Sequence, residues 1–186
     1  MKAAAAVLAG GAGLAVLATV SSCAGVGDGA PSPDVADSLR VTSPAFTPGG
    51  RLPARYSCDG AAVSPPLSWT GAPSDTRGFA VVVDDPNAPG GTFVHWVLLN
   101  VPADVTSVST GSVPEGAVQA RNTLSRTSYF APCPPDDGVH HYRFTVYALG
   151  KPVRLGPQPD LTDALAAISH DALAQGRIVA TYRRSG

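Results

Sequence analysis

Charge and bulk are scarce in this chain. Charged side chains make up 15% of its 186 residues and aromatics 6%, with one methionine and two tryptophans. The formal net charge is -1 at pH 7. Basic residues gather only in a small group, Arg177, Arg183 and Arg184, near the C-terminus. A nucleic-acid binder needs a basic stripe to neutralise phosphates, so no nucleic-acid partner is expected. Cysteine is also sparse: Cys23, Cys58 and Cys133. None sits in a Cys-x-x-Cys or Cys–His spacing, and no strong metal signature is present, so neither a metal nor another cofactor is expected. A Gly-x-Ser-x-Gly step in a strand-to-helix context is missing too, which leaves no identifiable serine nucleophile.

Long apolar runs are absent except at the start. Met1-Lys2 precedes the Ala-, Val- and Leu-rich run from Ala3 to Val20, which closes with Ser21-Ser22-Cys23 and Ala24-Gly25. Its length approaches a membrane span. Its place and small residues mark an export signal instead. A cysteine directly after small residues resembles the lipobox of bacterial lipoproteins. That resemblance implies cleavage before Cys23 and diacylglycerol on its sulfur; ordinary cleavage near Ser22 is the alternative. The expected organisation is a signal peptide over 1–22, a Gly/Pro/Ser/Asp-rich flexible tether over 23–38, and a folded domain over 39–186. Acyl chains would then anchor the exported chain to the outer face of the cytoplasmic membrane. In such a compartment Cys58 and Cys133 either form a disulfide or remain two separate buried thiols.

The domain reads as mostly β. Strands are expected over Leu39 to Phe46, Ser64 to Trp69, Gly78 to Val83, Phe93 to Val101, Arg143 to Leu149 and Arg177 to Tyr182, with Leu52 to Cys58 extended. In the Arg143 to Leu149 strand, Phe144, Val146 and Ala148 share one face. Apolar residues at 161, 165, 168 and 172 predict one late helix, capped by Asp160 or Thr162 and stopped by Gly176. Pro102 to Tyr129 has no period and forms a long irregular connection. Short strands, Pro/Gly turns and one helix suggest a β-sandwich.

Polar chemistry concentrates in Val83–Pro89 (VDDPNAP), in His95-Trp96, and in Pro132–Tyr142 (PCPPDDGVHHY). Asp84 and Asp85 end an apolar strand on opposite faces, so one of them is expected to be buried or bonded to the turn. Alternation puts His95 with Phe93, Val97 and Leu99, and a hairpin return would bring it to Asp85. An Asp–His contact there would fix the imidazole tautomer. His140 and Tyr142 share a face, and both present donors suited to a phosphate or carboxylate oxygen. Pro132, Pro134 and Pro135 stiffen the neighbouring wall, where a cis X–Pro bond is anticipated. A metal held by His95, His140 and Asp85 and a nucleophilic Cys133 are the competing readings of this cluster.

At these residues the chain resembles the phosphatidylethanolamine-binding protein family, specifically its bacterial Raf-kinase-inhibitor-like branch. The resemblance runs from about Leu39 to Arg183 through Tyr56-Ser57-Cys58-Asp59-Gly60, Ser64–Trp69, Val83–Pro89, Phe93–Trp96, Tyr129–Pro135 and Gly138–Tyr142. It implies a Greek-key β-sandwich whose pocket holds phosphate-like head groups. It also implies pocket roles for Asp85, His95, Trp96, Pro134, Pro135, His140 and Tyr142. Asn87 stands where an acidic residue is commoner, Ser125 where glycine is, and Phe130-Ala131 where glycine-rich sequence is usual. The functional expectation is a lipoprotein that binds a small anion or phospholipid head group. The alternatives are an extracellular protease inhibitor or interaction module and, last, a hydrolase. Family relatives also suggest a homodimer. Kinase control transfers poorly to an exported chain.

Overall fold

A computed structural model describes Met1, residues 35–135 and residues 137–184. The expected signal peptide, Cys23 and most of the expected tether lie outside the described residues. The elements are β1 (Arg40–Thr42), a 3-10 turn (Ala54–Tyr56), β2 (Leu67–Thr70), β3 (Gly78–Asp85), β4 (Phe93–Pro102), β5 (Ser107–Val108), β6 (Val118–Gln119), β7 (His140–Leu149), α1 (Leu161–Asp171) and β8 (Ala172–Tyr182). They build two antiparallel sheets, β1-β2-β5 and β6-β4-β3-β7-β8. The connection after β4, irregular by its sequence, carries the two-residue strands β5 and β6, one on an edge of each sheet.

The five-stranded sheet is covered on both faces, which is why β3 is a continuous apolar run with every residue buried. Phe79, Val81 and Val83 face the small sheet and meet Trp69, Leu98, Phe144 and Val146. Ala80 and Val82 face the other way, toward Val97, Leu99, Tyr147 and the helix residues Ala164 and Ile168. Each large apolar side chain so buried is worth about 1.5–3 kcal/mol.

Several local expectations change. Leu52–Cys58 is not extended throughout: Tyr56 and Ser57 donate to the Pro53 and Ala54 carbonyls, closing a 3-10 turn. Asp160 occupies the helix N-cap position without a side-chain capping bond, and its carboxylate pairs with Arg121 at 3.3 Å. Gly176 does not stop α1. The chain passes directly from Asp171 into β8, and Gly176 lies mid-strand, where an added Cβ would meet the Leu39 carbonyl oxygen at 2.0 Å. The folded unit also begins before residue 39. Gln175 donates to the Ala36 carbonyl, Leu39 donates to the Gln175 carbonyl, and Val35 packs on the core. The edge of β8 thus captures the last residues assigned to the tether.

Two irregularities interrupt the β3–β4 ladder. Opposite Phe79/Val81, Asn100 takes a positive φ of 55° and its side chain exchanges two hydrogen bonds with Val153. Opposite Val83/Asp84, the register steps from Trp96 to Val94 and leaves His95 as the extra residue. Such a bulge re-aims side chains at the end of a sheet.

Candidate functional site

A cavity of about 220 Å³ opens where β3 ends and β4 and β7 begin. Asp85, His95, His140 and Tyr142 supply its polar lining. Phe93, Phe130, Pro89, Pro134 and Pro135 supply most of the apolar lining. Sheet register explains the convergence, since Asp85 pairs with Phe93 on one side while Asp84 pairs with Arg143 on the other.

Asp85 is 3% exposed. A buried carboxylate without partners would be costly, and both of its oxygens are engaged. Oδ2 accepts from His140 Nδ1 at 2.7 Å, and Oδ1 accepts from the Asn87 amide at 2.8 Å. The second bond folds the DPNAP loop back on itself as an Asx turn. The first assigns the proton to Nδ1 of His140 and leaves Nε2 as the other ring nitrogen. The His140 ring stacks beside Tyr142, 21° from parallel, with centroids 6.4 Å apart.

The expected Asp85–His95 contact is therefore replaced by Asp85–His140. His95 Nδ1 instead donates to the Phe130 carbonyl at 2.7 Å, and the Phe130 amide donates to the His95 carbonyl at 3.0 Å. The bulge is the reason. It lets His95 face the cavity with Phe93, while Val97 and Leu99, expected on the same face, pack toward the helix. Burial pulls the His95 pKa below its ordinary value. The Phe130 bond and the charges of Asp85 and Asp84 oppose that pull only in part. The ring lies 4.7 Å from Phe93, 5.9 Å from Phe130 and 5.3 Å from Tyr142, centroid to centroid.

Both strand-end aspartates are buried, not one of the two. Asp84 points away from the cavity and is held by two bonds from the Arg143 guanidinium. That carboxylate raises the Arg143 pKa above its usual value against the opposing effect of burial. His141 is exposed, and its backbone and ring N–H groups donate to Asn87 Oδ1 at 2.9 and 3.0 Å. Asn87, where an acidic residue is commoner, thus ties the loop after β3 to the start of β7.

Trp96 does not line this cavity. Its indole lies in the core between the sheets, donates to Gln119 Oε1 at 2.7 Å and meets Tyr129 edge-on. It borders a separate cleft of about 270 Å³ with Ser64 and Val113. Cys58 and Cys133 form a disulfide with Cα atoms 5.4 Å apart, which removes Cys133 as a nucleophile. No cis peptide bond occurs among the described residues, so the anticipated cis proline is not found. Among those residues, no three His, Cys, Asp or Glu side chains group as metal ligands. Phe93, Ala88 and Pro89 line the cavity although the sequence does not single them out as ligand contacts. Their signal is proximity to Asp85 and His95, which becomes informative only once the β3–β4 pairing is known.

Two antiparallel sheets, one late helix and a buried histidine–carboxylate pair at one sheet end define a mostly β sandwich. The chain belongs to the phosphatidylethanolamine-binding protein family, which its residues 42–183 match. It is 39% identical over 151 residues to a UPF0098 protein of Methanothermobacter thermautotrophicus, covering 78% of this chain and 99% of that one. It is 36% identical over 188 residues to a Mycobacterium tuberculosis protein named "Putative lipoprotein LppC", covering 92% of this chain and 93% of the relative. Among solved structures, a phosphatidylethanolamine-binding protein homologue from Chlamydia trachomatis, CT736, superposes with a TM-score of 0.75 at 31% identity, covering 81% of this chain and 100% of its own. YbcL of Escherichia coli, described as a new member of the mammalian family, gives the same score and identity over 80% of this chain and 99% of its own.

Proposed function

We propose that this chain is a cell-envelope lipoprotein that binds a small anionic ligand, a phosphate or the phosphorylated head group of a larger molecule, in the Asp85/His95/His140/Tyr142 cavity. The observation that carries the reading is the buried Asp85–His140 pair beside His95. It holds one imidazole in a fixed tautomer at a cavity wall, ready to donate from Nε2 when protonated. At about 220 Å³ the cavity is smaller than a typical drug-sized site. It suits a head group and leaves any attached chain outside. Each Asp85 oxygen already accepts one hydrogen bond, and through Oδ2 Asp85 positions His140.

Anion binding beside a carboxylate is favoured when a histidine carries the compensating charge. Binding is then linked to proton uptake. Burial keeps His95 neutral to lower pH than usual, so affinity should rise as pH falls below about 6.5 toward about 5. Isothermal titration with phosphate and with phosphoethanolamine at these pH values tests this. A pH-independent affinity would remove histidine protonation from the reading. Similar affinity for the two ligands is expected if the amine finds no carboxylate. Envelope anchoring is supported by the Ser22-Cys23 step and by similarity to LppC. The mass of the mature N-terminus tests it: a diacylglycerol adduct on Cys23 supports anchoring, and an unmodified cysteine or a start beyond it refutes it.

A further inference from the structure

Among the described residues, the cavity lining contains one formal charge of fixed sign, Asp85, and no lysine or arginine. An anion entering it would meet no permanent positive charge in that wall. One guanidinium nevertheless stands next to it. Arg126 lies with its Cζ 5.7 Å from the centroid of the Phe130 ring, and Phe130 is itself stacked on the cavity histidine His95. Arg126 is exposed, and among the described residues no carboxylate lies within ion-pair distance of it. The neighbouring cations are committed elsewhere: Arg121 pairs with Asp160 and Arg143 with Asp84. Local folding fixes where Arg126 sits. Asn122 Oδ1 accepts from the Leu124 and Arg126 amides, and the Asn122 backbone amide donates to the Arg126 carbonyl. Ser125 adopts a positive φ of 58° in the resulting tight loop.

We infer that Arg126, seated on Phe130, is a specificity-determining residue of the pocket: it supplies the permanent positive charge at the mouth that selects anionic ligands. This inference rests on the anion-binding reading of the same cavity. An aromatic ring attracts a cation to its face, so the stack holds the guanidinium in place without neutralising it. Phe130 therefore has two tasks, as cavity wall and as platform for Arg126. A unit charge roughly 10 Å from an anion, in a mouth of effective dielectric about 20–40, changes affinity by about fourfold to fifteenfold.

Phosphate titrations on the full folded domain at about pH 7, at about 20 mM and about 300 mM salt, test the inference with wild type, Arg126→Gln and Arg126→Lys. The expected result is an affinity loss of about fourfold to fifteenfold for R126Q at low salt, shrinking at high salt as screening removes the charge effect. R126K should stay within about threefold of wild type. Equal affinities for wild type and R126Q at low salt would overturn the role of Arg126. So would an R126K as weak as R126Q, which would assign the effect to stacking alone. Wild-type protein that takes up no phosphate at either salt concentration would overturn the anion-site reading itself, and this inference with it. Thermal unfolding of each variant, with a melting temperature unchanged from wild type, ties any loss to the ligand.

Discussion

His140 and His95 do different work although both line one cavity. His140 is bound to a buried carboxylate, and His95 to a backbone carbonyl. Truncating His140 to alanine would leave Asp85 buried with one partner removed. Breaking a buried pair from one side costs about 3–5 kcal/mol, so urea denaturation of H140A should show a loss of that order. A loss below about 1 kcal/mol would mean that Asp85 is re-solvated or protonated without penalty. For His95 the sign follows from its depressed pKa. The unfolded chain takes up a proton as pH falls through about 6.5, while the folded chain does so only at lower pH. Stability should therefore decline as pH falls below about 6.5 and level off beneath the folded pKa. His95→Gln should flatten that part of the curve, measurable as the difference in unfolding free energy between about pH 7 and about pH 5. The roles of these residue types were legible in the sequence, but their pairing was not. Strand alternation alone could not reveal the bulge that puts His95 on the Phe130 carbonyl.

Two elements are fixed by contacts between distant segments of the chain. The Pro132–Pro135 segment is fastened by the Cys58–Cys133 disulfide and by the Cys58 amide donating to the Pro132 carbonyl. The bond closes a sequence separation of 75 residues, for which loop-closure entropy predicts about 4 kcal/mol, with measured values typically about 2–4. The double variant Cys58→Ser/Cys133→Ser should lose about that much in chemical denaturation. It should also bind phosphate more weakly, because Cys133 and Pro134 are cavity wall. Retained stability with lost binding would separate the wall's shape from its fastening. The second element is β8, whose Gly176 admits the Leu39 carbonyl. Gly176→Ala forces backbone apart where no side chain can yield, and about 2–4 kcal/mol of destabilisation is expected in thermal or urea unfolding. The glycine was visible in the sequence, and its placement after an apolar period suggested a helix stop. Only the packing of Leu39 against β8 shows the close approach that it serves.

Across the molecule, the five-stranded sheet is the frame to which everything else is attached. The small sheet covers one face and α1 the other, while the cavity occupies the sheet end where β3, β4 and β7 meet. The chain segment leading into the domain is captured at Gln175. In the register of β7 with β8, Gln175 pairs with Tyr147, and Tyr182 pairs with the cavity residue His140. Roughly seven residues of strand, about 23 Å, therefore separate the entry point from the cavity end. Truncations test the domain boundary: a chain starting at Val35 should unfold at the full-length temperature, and one starting at Arg40 should be less stable.

Composition, apolar periodicity and the ordered motifs were enough to determine a mostly β chain of this family, its late helix and the residue types of its polar cluster. These properties reside in local spacing, and local spacing is what a sequence displays. Tertiary structure decided which aspartate meets which histidine, why Trp96 turns into the core, and how Phe130 comes to stand between His95 and Arg126. Each of those outcomes depends on a one-residue slip in the β3–β4 register or on a contact between segments far apart in the chain. No local pattern encodes either.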